Sequence, residues 1–410
     1  MKVWIVSEGE PIPIDDEKVR LRRMGQLANS LVDMGHEVHW FCSTFHHYKK
    51  LERYPNDKDI TYKKNYYFHL FKGKKYRNNV SISRILHHKF IARKFVRKSR
   101  LLDSPDIIIA TMAPLEFSEV AVRYAKDKGV PVVVDIRDLW PEIYNEVVPM
   151  WAKKIIFPYI SVSKRRLKST LQSTTGIVGV TSGFLNYGLE VAGISKRNSD
   201  KVFHTSYKIN HQKISNFESD WEQFGINETD FIVTFMGNFG KQFNIEPIIK
   251  AAERIKRYAE IKFVLCGLGE RFEYFKELTK NLENVVMPGW IEGEQIKSLL
   301  QSSKIGLAPY KDSINFSLNA PNKFGEYLSY HLPVFLSING EMENLVNDYS
   351  CGTVYSSDID LAEKIEDLFL NSNKQKKMSE NAFRLYKDKF DSDIVYKQFA
   401  DYLISIANEN

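Results

Sequence analysis

The sequence predicts an α/β chain built from two consecutive doubly wound parallel-sheet units. Three observations predict it. Short apolar runs, such as Val3-Trp4-Ile5-Val6 and Ile107-Ile108-Ile109-Ala110, alternate with longer stretches whose apolar residues recur every three to four positions. That alternation runs through nearly all 410 residues, and a polar stretch at 207–230 divides it into two series of similar size. The composition, 43% apolar and 27% charged, is ordinary for globular domains and excludes disordered and low-complexity classes.

In the first series, a strand at 3–7 meets an acidic loop at 8–17, where Pro11 and Pro13 block a helix. Residues 19–33 read as a helix on Leu21, Met24, Leu27, Ala28, Leu31 and Val32, with Gly35 suited to the left-handed position after it. A strand at 37–41 completes a β-α-β unit. Strand 106–110, helix 115–128, strand 130–135, helix 151–172, strand 176–180 and a last strand at 201–204 follow. The second series places strands at 231–236, 261–266, 285–287, 305–308, 334–336 and 353–355. Its helices fall at 246–258, 272–282, 293–301, 321–330, 361–370 and 374–386. The expected domains are 1–206 and 207–391, with a final helix in 392–410 packing back on the first. In open α/β sheets ligands bind outside the carboxyl ends of the strands, so both sets of ends are expected to face a cleft.

Charge is uneven. Lys and Arg number 58 against 51 Asp and Glu, a formal +7. Residues 72–100 hold eleven Lys/Arg and residues 153–168 six more, with no acid in either window, so the remainder carries −10. This excludes a uniform nucleic-acid coat but leaves a local basic surface on the first unit. On a helical wheel Ile82, Ile85, Leu86 and Val96 cluster, while Ile91 and Phe95 point away. Either the segment meets anionic lipid headgroups or it is a solvated helix; no nucleic-acid motif accompanies the charge. Cys42, Cys266 and Cys351 are far apart, with no metal-ligand spacing, as suits a reducing compartment. The longest uncharged run, 169–189, holds seven Ser/Thr and four Gly and cannot span a membrane. The opening strand runs straight into Glu8 and Glu10, unlike a signal peptide. A cytoplasmic protein that touches a membrane is expected.

The segment richest in chemistry runs from Ala308-Pro309-Tyr310 to Asn319-Ala320-Pro321-Asn322-Lys323-Phe324-Gly325-Glu326-Tyr327-Leu328 and His331-Leu332-Pro333-Val334. A strand ends, and a loop leads to a helix with Pro321 in its first turn. Glu326 lies on the Asn322 side of that helix by the i, i+4 rule, where a carboxylate can accept both hydroxyls of a ribose. A lone Glu there would be an ordinary surface residue; its surroundings argue otherwise. Met236-Gly237-Asn238-Phe239-Gly240-Lys241 follows a strand, with Gly237 and Gly240 allowing close backbone approach and Lys241 a point charge for a diphosphate. Cys266-Gly267-Leu268-Gly269 is a defective dinucleotide fingerprint, lacking its third glycine.

Together these motifs resemble family 4 glycosyltransferases of the GT-B fold, two Rossmann-like doubly wound domains facing a cleft. The resemblance covers nearly the whole chain and is strongest over 231–340. It makes Glu326 the donor-ribose ligand, and Lys241 and Lys323 the charges beside the donor diphosphate. It brings Gly237, Asn238, Phe239, Gly240, Gly267, Trp290 and Ile291 near the donor. The family's first motif glutamate falls at Leu318, a departure that leaves the backbone amides of Leu318, Asn319 and Ala320 to hold the donor sugar, beside Asn322. Trp290 either stacks on the base or packs in the core.

In the first unit, Glu8-Gly9-Glu10-Pro11, Arg20, Arg23, His46-His47 and Asp135-Ile136-Arg137-Asp138-Leu139-Trp140-Pro141-Glu142 resemble a bacterial subgroup that transfers N-acetylated, fucosamine-type amino sugars in O-antigen and capsule assembly. Asp138 or Arg137 would then stand beside the anomeric carbon; alternatively Arg137 forms a structural ion pair with Asp135 or Glu142. Glu10, Arg20, His204 and Ser206 would border the acceptor. The resemblance implies retaining transfer from a UDP-linked donor, with no cofactor or required metal. The acceptor would be a lipid-diphosphate-linked saccharide at the inner face of the plasma membrane, reached through 72–100 and 153–168. Two readings stay open beside it: a nucleotide-sugar 2-epimerase of the same fold, and an inactive nucleotide-sugar-binding homologue.

Overall fold

The computed structural model describes residues 1–16, 19–144, 148–206 and 217–409. The expected linker at 207–230 thus lies partly outside the described residues. The chain forms two compact units, Met1–His204 with Ser392–Asn410, and Thr205–Asp391.

The first unit is an eight-stranded sheet. Its strands in chain order are β1 (Lys2–Val6), β2 (Glu37–Ser43), β5 (Lys58–Lys63), β6 (Tyr66–Phe71), β7 (Ile107–Thr111), β8 (Val132–Ile136), β9 (Gly176–Gly179) and β10 (Lys201–Val202). A separate two-stranded ladder joins β3 (Phe45–His46) to β4 (Leu51–Glu52). The spatial order is β10-β9-β8-β7-β1-β2-β6-β5, and only β5 runs antiparallel to its neighbour. Apart from Lys2 at the start of β1, the central strands are buried along their length, and apolar except for Thr111 in β7 and Asp135 in β8, because helices cover both faces. On one face Trp4 is enclosed by Phe41, Phe95 and Tyr124. On the other, the Arg23–Asp33 helix packs against the C-terminal Ser392–Glu409 helix. Phe399 stacks on Phe203 at 4.5 Å, and the Tyr402 hydroxyl donates to the Ser199 carbonyl at 2.6 Å.

Three differences from the sequence expectation have local causes. The first helix begins at Arg23 rather than residue 19, because Met24 N–H donates to the Glu10 carboxylate, a cap supplied from outside the helix. The Ser182–Ala192 helix is not legible in its uncharged, glycine-containing sequence. A Cβ on Gly188 would lie 2.3 Å from Ile136, so glycine permits the helix to lie against the sheet. The Ile82–Ser99 helix buries His87, His88, Ile91 and Phe95, whereas Ile82 is 77% exposed. The predicted apolar cluster of Ile82, Ile85, Leu86 and Val96 is therefore not its packed face; Phe95 fits among Trp4, Phe41 and Phe117 instead.

The second unit is a six-stranded parallel sheet of β11 (Phe231–Met236), β12 (Ile261–Cys266), β13 (Val285–Gly289), β14 (Ser303–Ala308), β15 (Val334–Leu336) and β16 (Gly352–Val354), in the order β13-β12-β11-β14-β15-β16. Connections lead one way from β11 and the other way from β14. The same reversal falls between β1 and β7 in the first unit. A crevice outside the strand ends at such a reversal is where doubly wound sheets bind ligands.

Candidate active site

In the second unit the reversal is dressed by the loops after β11 and β12 and by one helix. After β11, Gly237 N–H donates to the Cys266 carbonyl (2.9 Å) and Phe239 N–H to that of Leu268 (2.9 Å). After β12, Gly267 N–H donates to Gly289 O (2.7 Å) and Arg271 N–H to Phe239 O (3.1 Å). A Cβ on Gly267, whose φ is +132°, would sit 1.7 Å from the Gly237 carbonyl oxygen; one on Gly269 would sit 2.2 Å from the Asn238 side chain. The two glycines therefore serve the packing of one loop on the other. Beneath them the buried Tyr327 hydroxyl accepts Met236 N–H at 3.0 Å, pinning the end of β11 to the Asn322–Ser329 helix.

That helix carries Lys323 and Glu326, both half-buried, one turn apart. Burial pulls the Lys323 ammonium down from its ordinary range, while Glu326 and Cys266 pull the other way. Lys241 is highly exposed, 3.7 Å from Glu270. A half-buried cation, a neighbouring carboxylate and an exposed cation at one strand edge can hold a diphosphate and a diol.

Several expectations for this unit need correction. Phe239 and Ile291 bury their side chains in the core, so neither offers a side chain to a ligand. Phe239 packs on Phe235 and Phe272, and both of its backbone groups are used between loops. The amides of Gly237, Gly240 and Gly267 are likewise taken. Leu318 and Asn319 N–H donate to the Ile314 and Phe316 carbonyls, so two of the three amides expected to replace the missing glutamate are occupied by a short helical turn. Trp290 is 70% exposed, which overturns the core-packing alternative. Asn238 and Asn322 are exposed and Asn319 half-buried.

In the first unit, a cavity of about 270 Å³ opens at the β1/β7 reversal, between the loops after β1, β7 and β8. Its floor is an ion chain. Arg23, 2% exposed, donates to both oxygens of the fully buried Asp135 (2.8–3.0 Å) and to the Phe203 (2.7 Å) and His204 (3.3 Å) carbonyls. Arg137 donates to Asp135 at 2.6 Å and pairs with Glu10. Burial alone would raise the Asp135 carboxyl; Arg23 and Arg137 reverse this and hold it below the usual carboxylate range. Arg137 thus forms the structural pair with Asp135; the Glu142 alternative fails, since Glu142 pairs with Lys164 (2.8 Å). Glu10 is committed to Arg137 and Met24 N–H, so it shapes the cavity wall instead of standing free for an acceptor. Arg20 is exposed and absent from the lining, and Ser206 belongs to the second unit. Asp138 lines the cavity and makes no ion pair among the described residues. The surrounding protein raises its carboxyl, with Arg137 and Arg84 pulling it back.

Arg84 belongs by sequence to the basic run, yet the structure makes it a wall of the cavity, its guanidinium over the rings of Tyr76 (5.8 Å) and Trp140 (5.7 Å). Arg22, Tyr48 and Glu8 also line it. Burial raises the Glu8 carboxyl, but the His87 hydrogen bond and the nearby charges bring it to about 2. The Glu8-Gly9-Glu10 loop, His47 and the Asp135–Trp140 segment carry sequence signals for this cavity, whereas Arg84 comes from a distant helix. Balanced guanidinium and carboxylate groups beside aromatic rings suit a polyhydroxylated ligand, whose hydroxyls both donate and accept.

Comparison with known proteins gives a family similarity for the second unit and a fold for both. The profile of the family described as "Glycosyl transferases group 1" matches residues 216–385, which lie within the second unit. An uncharacterized glycosyltransferase of Methanocaldococcus jannaschii is 27% identical over 134 residues, covering 29% of this chain. The match spans about a third (33%) of that relative's length. Among solved structures, sucrose-phosphate synthase of Thermosynechococcus elongatus superimposes with a TM-score of 0.68 at 14% identity, covering 100% of both chains. HepE of Anabaena, in complex with UDP, gives 0.64 at 15% identity, covering 99% of this chain and 100% of that one. The chain therefore has the GT-B fold of two Rossmann-like domains.

Proposed function

We propose that the protein is a glycosyltransferase that takes a sugar from a nucleotide-sugar donor, UDP-linked, held on the second unit, and passes it to a saccharide acceptor held in the first. The observation that carries the reading is the set of Lys323, Glu326 and the Gly237–Lys241 loop at the strand reversal of a group 1 glycosyltransferase domain. Glu326 accepts the ribose hydroxyls. Lys323 and Lys241 neutralise the leaving diphosphate, the electrostatic contribution such a transfer needs. Asp138, which lines the first-unit cavity and makes no ion pair among the described residues, accepts a hydrogen bond from the acceptor hydroxyl, while Arg137 holds the Glu10 and Asp135 carboxylates beside it. The HepE structures with UDP and with UDP-glucose support the choice of donor. Retention of configuration, no metal requirement, an N-acetylated amino sugar and a lipid-linked acceptor in surface-polysaccharide assembly complete the proposal. The basic segments of the first unit support the last, and with it a location at the inner face of the plasma membrane. Among the described residues no helix is long and apolar enough to cross a membrane.

A thermal-shift panel of UDP, GDP, ADP and their sugars tests the reading. Ligand at 100 times its Kd adds about 2.7 kcal/mol of stability. A rise with UDP and UDP-sugars is expected; no response to any nucleotide overturns the proposal. Turnover of a UDP-sugar without acceptor would favour the 2-epimerase.

A further inference from the structure

The two basic segments of the first unit differ in how their charges are answered. The Ile82–Ser99 helix packs on the Leu115–Lys128 helix, which packs on the Met150–Gln172 helix. On the first of these, Lys94 is tied to Asp57 (2.6 Å) and Lys98 to Asp59 (2.7 Å). Those two lysines are neutralised locally. Lys89, Arg93, Arg97 and Arg100 form a different row, spaced by four, four and three residues and so on one helix face. All four are exposed and make no ion pair among the described residues. They border a groove of about 480 Å³ whose other rim holds Arg123 and Arg166, both paired with Glu119. Six basic side chains thus face two acidic ones, Glu116 and Glu119, over a floor that includes Ala92, Val96 and Val120.

The Met150–Gln172 helix continues this surface. It has no acidic residue and six basic ones. Its packed side presents Ile160, Ser163 and Leu167. Roughly opposite, Trp151, Ile155 and Val162 are 76%, 73% and 54% exposed, and the row leads by i, i+4 spacing from Val162 to Arg166 at the groove. Met150 and Phe157 add 79% and 65% exposed side chains on the flank. Large apolar groups held in water beside unpaired cations are costly unless something covers them. A surface offering both phosphate charge and an apolar layer matches both features at once, with the bases at headgroup level and the apolar row in the acyl boundary.

We propose that the groove row Lys89, Arg93, Arg97, Arg100 and the apolar row Trp151, Ile155, Val162 form one docking surface for an anionic lipid bilayer. This rests on the membrane part of the reading above and assigns it to particular residues. The test is flotation of the full chain with phosphatidylcholine vesicles, with and without phosphatidylglycerol, alongside UDP thermal shift on every variant. The protein is expected to float only with phosphatidylglycerol. Removing three charges (Arg93→Gln, Arg97→Gln, Arg100→Gln) is expected to weaken binding about a hundred-fold, whereas Lys94→Gln with Lys98→Gln leaves it within about three-fold because those lysines are already paired. Trp151→Ser with Ile155→Ser removes the part of binding that survives high salt. Equal losses from both charge sets, or none from the apolar pair, overturn the surface while leaving membrane association intact. Failure of the parent protein to float overturns membrane association itself, and a preserved UDP response shows that the transferase reading is untouched. Duplex DNA binding as tight as vesicle binding at the same salt also overturns the proposal.

Discussion

Arg23→Met breaks the ion chain under the first-unit cavity at its most buried link. Arg23 and Asp135 are 2% and 0% exposed, and the guanidinium also serves the carbonyls of Phe203 and His204, which follow the last strand of the unit. Removing one member of a buried pair costs about 3–5 kcal/mol because the partner charge stays buried. Arg137 still faces Asp135 at 2.6 Å, so the lower end, about 3 kcal/mol, applies. For a domain of this size that lowers Tm by about 6–12 °C. Adding Asp135→Asn to Arg23→Met is expected to recover at least about 1 kcal/mol, since an amide needs no counter-charge. The sign with pH follows. Asp135 has a depressed carboxyl in the folded state, so its contribution is present above the unfolded carboxylate range and is lost as pH falls through the folded value. In Arg23→Met that acid sensitivity shrinks. Differential scanning calorimetry at pH 7 and across the acid range measures all three effects. A Tm loss under about 2 °C, or no recovery when Asp135→Asn is added, would refute the claim that charge compensation holds the cavity floor.

Three further outcomes are expected. Glu326→Ala weakens UDP-sugar binding about 10–150-fold, the worth of hydrogen bonds to a charged acceptor, read by calorimetric titration; an unchanged Kd removes Glu326 from the donor site. Gly267→Ala forces a Cβ to 1.7 Å from the Gly237 carbonyl at a φ of +132°, which adds about 1–3 kcal/mol of backbone strain before the clash is counted. Nucleotide binding is expected to fall with stability, and a variant with parental Tm and UDP affinity would show that the two loops are not packed as described. Finally, burial lowers the imidazoles of His69 to about 4 and His88 to about 3. Their contribution is present above the unfolded value of about 6.5 and is lost as pH falls toward about 4, at up to about 1.4 kcal/mol per pH unit for each. Thermal melts of the parent and of His88→Phe between about pH 7 and 4 check this, and parallel curves would count against it.

The period of the apolar pattern is enough to read two α/β series, most strand positions and the helix of Lys323 and Glu326. These depend on neighbours close in sequence: a continuous apolar run buried on both faces, a proline at a helix start, a carboxylate three residues from a lysine. The motif loops after β11 and β12 are legible as glycine patterns. What those glycines do is not, because the atom that excludes a Cβ at Gly267 belongs to Gly237, a residue that follows another strand.

Tertiary structure decided the rest, and always through contacts remote in the chain. Arg84 becomes a cavity wall because its helix lies over the loop of Trp140. Arg137 becomes a link in the buried ion chain because Glu10 and Asp135 meet it from two other segments. Phe239 leaves the ligand list because Phe235 and Phe272 enclose it. The basic run divides because Asp57 and Asp59, on a hairpin edge, reach Lys94 and Lys98 and leave Arg93 and Arg97 in solvent. Composition sets how many charges a segment carries; only packing determines which of them are already answered.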